Sequence, residues 1–254
     1  MRYINLYRDR LENRGGILQR DRNLKILHRE INTLAQGNPA YKKIIIDGVE
    51  RYAVINRQDD YQIKEIVSMP GDFVPLGTYV TFADKVWLVE KTDYDTEVYS
   101  KSMMYMCNCH LKWRDRDGTI YDYPGVAEDA TKYSVGVVKT ETLGIADFHI
   151  KVKIKCDEIT NGLVMRDSRF IIDVDSLVPS MIQLDDGRPH VFRTTRVNKV
   201  TGTIEGDGYF EVTMIQDQWL EGEDNYETML AAQPWEIRDN TLLPRDETIE
   251  PGWL

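Results

Sequence analysis

The chain has little of what most catalytic or metal-binding proteins display. It carries only three cysteines and four histidines. Three cysteines cannot form a closed disulfide framework and fit a reducing compartment. Basic residues fall short of acidic ones, 32 against 42, for a formal net charge of -10, which disfavours nucleic-acid binding through a basic body. No stretch approaches the roughly 20 apolar residues that span a bilayer. The opening Met1-Arg2-Tyr3-Ile4-Asn5 lacks the charged-then-apolar order of a signal peptide. The expectation is a soluble, non-membrane protein made in a cytoplasm. There is no G-x-S-x-G, P-loop or G-x-G-x-x-G motif, so no enzymatic activity and no cofactor are expected.

Three clusters invite a chemical reading. Cys107-Asn108-Cys109-His110 resembles a metal-ligand run, but on a strand the two cysteines share one face while His110 points to the other. Core cysteines are the better reading, because free cysteine is among the most buried residue types. Asp115, Asp117 and Gly118 mimic the start of an EF-hand loop, yet its twelfth position is Val126 where a glutamate is needed. His190, after Asp186-Gly187-Arg188-Pro189, stands alone without a nucleophile motif. No metal site is expected.

What is present is β pattern. Lys43 to Ile46 and Val49 to Ile55 flank Asp47-Gly48, a strong hairpin dipeptide. Ile63 to Val67 is another strand. Met69-Pro70-Gly71-Asp72 and Gly77-Thr78 punctuate the start of a hairpin that turns at Ala83-Asp84-Lys85 and returns through Val86-Trp87-Leu88-Val89. Val80, Phe82, Val86 and Leu88 are its expected core residues. Val98 to Lys112 makes a long β-prone run, and Trp113 to Tyr121 turns at Asp117-Gly118. Phe148 to Cys156 alternates almost strictly, as a half-buried or edge strand with its lysines outward. Arg169 to Val174, His190 to Val197 and Tyr209 to Ile215 complete the set. The fold class is mainly β: small barrel-like or sandwich β domains, a short N-terminal helix and extended terminal arms.

Four regions follow. Residues 1–40 form a basic arm, in which Arg2, Arg8, Arg10, Arg14, Arg20, Arg22, Lys25 and Arg29 outnumber Asp9, Glu12, Asp21 and Glu30. Leu24, Leu27, Ile31 and Leu34 recur at helical spacing, with Asn23 as cap and Gly37-Asn38-Pro39 as stop. Residues 41–140 form a barrel-like domain and 141–216 a second β region, with a soft boundary at 139–147. Residues 217–254 form an acidic arm ending in Trp253-Leu254, in which 226–232 suits a helical turn or two. Both arms are expected to order on a partner. A basic end and an acidic end on one subunit suit neighbours that clasp head-to-tail, with Arg8, Arg10, Arg14, Arg20, Arg22, Trp253 and Leu254 as docking residues.

The arm motif Leu6-Tyr7-Arg8-Asp9-Arg10, the hairpin signals Pro70-Gly71-Asp72, Gly77-Thr78 and Val86-Trp87-Leu88-Val89, and the run Leu111-Lys112-Trp113-Arg114-Asp115-Arg116-Asp117-Gly118-Thr119-Ile120-Tyr121 resemble tailed-bacteriophage neck proteins of the head-closure and head-tail joining kind. The resemblance covers the first half. It implies a virion structural protein, a cyclic homo-oligomer below the portal that meets portal or adaptor protein and tail proteins. Genomic DNA would pass through its lumen without sequence-specific binding. An acidic ring wall repels DNA phosphates. Channel-closing loops are then expected in two polar segments: 93–97, with Asp93, Asp95 and Glu97, and 123–132, with Glu128 and Asp129. A tail-completion or tail-tube-associated protein is a second reading. A β-rich carbohydrate-binding module or hydrolase, stacking sugars on its tyrosines and tryptophans, is a third.

Overall fold

The computed structural model describes residues 3–5, 7–8, 19–94, 98–129, 149–163, 167–172, 190–202 and 208–237. The chain is mainly β, as its alternating patterns predict. Helix α1 (Gln19–Gln36) precedes β1 (Tyr41–Ile46), β2 (Val49–Arg57), β3 (Ile63–Ser68), β4 (Tyr79–Phe82), β5 (Lys85–Thr92) and β6 (Lys101–Met106). These six strands close a barrel in the order β1-β2-β3-β6-β5-β4. Pairing of β1 with β4, Ile45 opposite Thr81 and Ile46 opposite Val80, closes it, and tight hairpins join β1 to β2 and β4 to β5. Asp47 and Gly48, then Ala83 and Asp84, hold positive φ in consecutive pairs, the twist that joins antiparallel strands through two residues. Ile44, Ile66, Val80, Trp87, Val89 and Met104 fill the barrel.

Then come β7 (Cys109–Arg114), β8 (Ile120–Asp129), β9 (His149–Lys155), the short helix α2 (Glu158–Leu163), β10 (Arg169–Ile172), β11 (His190–Thr201) and β12 (Gly208–Asp217). They form a six-stranded sheet in the order β10-β11-β12-β9-β8-β7. It curls until the edge strands β10 and β7 come near each other, around Leu111, Trp113, Val152, Phe170, Phe192 and Met214.

Several expectations change. The run from Val98 to Lys112 is two strands, broken at Cys107-Asn108, and the passage from barrel to second sheet falls there. Strands β7 and β8, expected with the first domain, hydrogen-bond into the second sheet. The expected boundary at 139–147 lies outside the described residues. Asn23 is no cap, for it sits inside α1 and accepts a hydrogen bond from Gln19 Nε2 at 3.1 Å. The helix does stop before Gly37, where Asn38 N donates to Ala35 O at 2.9 Å.

Inside the β4–β5 hairpin, Val80 pairs with Trp87 and Tyr79 with Leu88. Trp87 and Val89 therefore line the barrel, whereas Leu88 is fully buried on the opposite face. Both faces of β5 are covered, and that defeats a simple alternation argument. Strand β9 is likewise central between β12 and β8, not an edge, and Lys153 on it is buried.

Candidate functional site

Two surfaces could carry function. One is the joint between barrel and second sheet, which sets their relative placement. The other is α1, whose residues are mostly exposed.

The joint is short and tightly hydrogen-bonded. Cys107 N donates to Val86 O in the barrel at 2.9 Å, and Asn108 N donates to Gly125 O in the second sheet at 2.9 Å. The Asn108 side chain then brackets Ala127, accepting from its N–H at 2.7 Å and donating to its carbonyl at 3.0 Å. Leu76, Leu88, Val126 and Tyr209 make an apolar layer across the joint, flanked by Tyr79 and Tyr105. Gly77, at φ +78°, lies so close to Gly208 that an added Cβ would stand 1.7 Å from Gly208 O, so only glycine allows this approach. Tyr79 on β4 donates its hydroxyl to Pro124 O at 2.5 Å and accepts from Lys155 N at 3.1 Å. Burial pushes the Tyr79 phenol well above its ordinary pKa. Tyr79→Phe strands a carbonyl and an N–H at the joint and should cost about 1–3 kcal/mol in urea unfolding.

At the centre of the joint, Lys153 Nζ lies 2.7 Å from Glu90 Oε2 and 2.8 Å from Glu128 Oε1, 5.4 Å above the centroid of the Tyr105 ring. Glu90 is presented by a bulge in β5, where the register shifts between Val89 and Lys91. Burial works against the Lys153 ammonium, but hydrogen bonds to Glu128 and Glu90 outweigh it, and its pKa stands above the ordinary lysine value. One ammonium faces two carboxylates with Glu211 nearby, so one carboxylate yields. Burial, only partly opposed by the hydrogen bond to Lys153, pushes Glu90 up to about 7.

The folded chain therefore holds a proton on Glu90 that the unfolded chain releases between about pH 4.5 and 7, and stability from this group falls as pH rises through that window. The loss amounts to roughly 3 kcal/mol once pH exceeds 7. Glu90→Gln should remove that contribution, so the variant gains on the wild type at pH 8 relative to pH 5, as read by urea unfolding at both pH values.

The residues expected to close a channel have other places. Glu128 is in β8 and paired with Lys153, so segment 123–129 is strand, not loop. Asp129 ends that strand. Asp93 N donates to Lys101 O, and Asp93 O accepts from Ser100 Oγ, both at 2.8 Å, which holds the residue at the end of the β5–β6 hairpin. Its neighbour Tyr94 packs on Phe73 at 5.2 Å. Asp95 and Glu97 lie outside the described residues.

The acidic arm is not free over its first half. Arg169, wholly buried at the start of β10, binds Asp217 through Nε at 2.9 Å and Asp224 through Nη1 and Nη2 at 2.9 and 3.0 Å. It also donates to the carbonyls of Gln218 and Ala232. Gln233 closes the set, accepting from Arg169 N and donating to Arg169 O. Trp219 and Met229 pack on Ile171, Val191 and Ala231. Residues 218–237 thus fold onto the second sheet as turns, with an isolated bridge between Asn225 and Leu230 in place of the expected helical turns. Trp253 and Leu254 lie outside the described residues.

Cys109 is buried and its thiol is pushed up to about 12 by burial, while His110 lies exposed on the other face, 2.7 Å from Asp122 Oδ1. Cys109 is thus a core cysteine on β7, whereas Cys107 is half-buried in the break between β6 and β7 and not on a strand. Among the described residues no group of three or more His, Cys, Asp or Glu is placed to hold a metal ion.

Helix α1 differs from everything else. Its 18 residues bury a single side chain, Ala35. Leu34 is 75% exposed, Ile26 57% and Leu27 37%, while Leu24 and Ile31 are half-buried. Arg20 and Arg22 lie on this helix, and Arg8 lies exposed in a helical stretch before it, together with exposed Tyr3, Ile4 and Tyr7. Arg10 and Arg14 fall outside the described residues.

No protein-family profile and no curated sequence matches the chain. Among solved structures, MrkH of K. pneumonia, described as a c-di-GMP dependence transcription regulatory factor, is returned with a TM-score of 0.23 and 8% identity over 78% of this chain and 85% of that one. Its apo form gives 0.25 and 9% over 81% and 88%. Superposition at that level carries no argument about fold or function.

Proposed function

We propose that this chain is a structural subunit of a tailed-phage virion, placed at the head-tail interface in a ring below the portal, without catalysis of its own. The observation that carries the reading is α1: a long amphipathic helix on which Ile26, Leu27 and Leu34 are exposed among the described residues. Such a helix is a contact element awaiting a partner. The rest of the molecule suits the part. Two β bodies meet through a two-residue crossing, a buried ion-pair triad and a glycine contact, which makes a stiff block for assembly. The arm motif and the hairpin and Trp113 motifs of the first half support the neck in particular. Repeated around a ring, a chain of this net charge presents an acidic wall that DNA slides past. The Asp93 hairpin end is the remaining described candidate for a lumen-facing loop.

The test is twofold. Sedimentation of the full chain should show a discrete cyclic assembly, and protein mass spectrometry of purified particles should find the chain in the virion. A monodisperse monomer that binds glycans would sink the proposal in favour of a carbohydrate-binding module.

A further inference from the structure

Beyond an assembly role in general, α1 specifies what covers it. Leu24, Leu27, Ile31 and Leu34 follow one another by three, four and three residues, the a/d spacing of a two-heptad coiled-coil seam. In that frame Arg22 and Arg29 occupy f and Lys25 occupies b, so the positive charges sit on the outer face. The flanking e and g positions hold His28, Ala35, Asn23 and Glu30. A parallel, in-register pair sets Asn23 against His28 and Glu30 against Ala35, so these two e–g pairs oppose no like charges.

Among the described residues, the Leu27 and Leu34 half of the seam is exposed, while Leu24 and Ile31 are half-buried. Asn38 N to Ala35 O, Tyr41 N to Asn38 O and Ala40 N to Asn38 Oδ1, each 2.9 Å, hold the connector into β1, and with the helix so placed Leu34 remains three-quarters exposed.

We infer that α1 pairs with α1 of a second copy through Leu24, Leu27, Ile31 and Leu34. Two heptads alone are marginal, because short isolated helices are unstable in water. The pairing therefore works as one contact among several between neighbouring subunits, tightened by their being held together. Arg20 occupies the next d position toward the N-terminus and limits the seam at that end.

The experiment uses the full chain and three variants, with association read by sedimentation velocity across a concentration series. Leu27→Arg with Leu34→Arg should abolish the α1-dependent step. Both side chains are exposed, so an unchanged near-ultraviolet circular dichroism spectrum is expected alongside. Arg20→Leu should shift association at least tenfold toward lower concentration. Leu34→Cys should form an intermolecular disulfide under mild oxidation. A wild type that assembles, with the double-arginine variant assembling identically, overturns the helix pairing and leaves the ring proposal standing. A wild type that is monomeric throughout overturns both. Binding of the monomer to phosphatidylserine vesicles through this helix, lost in the double-arginine variant, would replace the pairing with a membrane contact.

Discussion

Arg169→Met is expected to lower the stability of the chain by about 3–5 kcal/mol, the cost of breaking a buried ion pair by removing one partner. The substitution keeps an apolar stem of similar length, so the cavity is small and the electrostatic loss dominates. It strands Asp217 and Asp224, the latter with no exposed side-chain surface, and removes the donors to Gln218 O and Ala232 O. Asp224 would keep only the backbone donors Leu220 N and Ala232 N. The damage should be local as well as global: residues 218–237 lose their anchor, so hydrogen exchange there should quicken before the strands of the second sheet open. Urea unfolding and exchange mass spectrometry check the two parts. Adding Asp217→Asn and Asp224→Asn should recover much of the global loss, since the uncompensated charges are then gone. The lobe should remain loosened. If the single variant unfolds at the wild-type urea concentration, the clamp contributes nothing net.

The second large effect is at the joint. Lys153→Met leaves Glu90 and Glu128 facing each other across the interface without a cation, and Glu90 Oε1 already has no hydrogen-bond partner. The expected cost is about 3–5 kcal/mol at pH 8. It should shrink at pH 5, where Glu90 carries a proton. Because the triad joins β5 of the barrel to β8 and β9 of the second sheet, the loss should also appear as a broadened or two-step urea transition, the sign that the two bodies no longer unfold together. Adding Glu90→Gln should restore part of the loss at pH 8 and little at pH 5. A Lys153→Met chain with a single sharp transition and unchanged midpoint would show that the apolar layer of Leu76, Leu88, Val126 and Tyr209 holds the joint unaided.

Much of the architecture was legible along the chain. The hairpin at Asp47-Gly48 was marked by residues that tolerate positive φ; that at Ala83-Asp84 showed only as a break between two β-rich runs, since alanine does not announce the positive φ it adopts there. The seam of α1 was marked by its spacing, and its stop by Gly37-Asn38-Pro39. Buried Cys109 was marked by its place on a strand and the lack of a complete ligand set. Less legible was everything that depends on a second body. Leu88 and Val89 look alike in a strand pattern, yet Val89 lines the barrel and Leu88 meets the second sheet. Lys153 stands in an alternating strand among Lys151 and Lys155 and reads as solvent-facing, but β8, β12 and the barrel surround it. Glu128 reads as a loop acid because Pro124-Gly125 precedes it, yet both residues lie inside β8. Arg169 announces itself only as a cation opening an apolar run, Phe170-Ile171-Ile172. Its acidic partners stand some 50 positions onward, in what composition alone presents as a loose tail.

Local patterns thus determined the class of fold, the hairpins, the helix and its apolar stripe, because turn conformation and amphipathic period are properties of neighbouring residues. The crossing at Cys107-Asn108, the burial of Lys153 between two carboxylates and the capture of the acidic segment by Arg169 were decided only in the tertiary structure. These depend on which surfaces meet across long stretches of chain. A charge buried by such a meeting must find its counter-charge there, whatever its neighbours in sequence suggest.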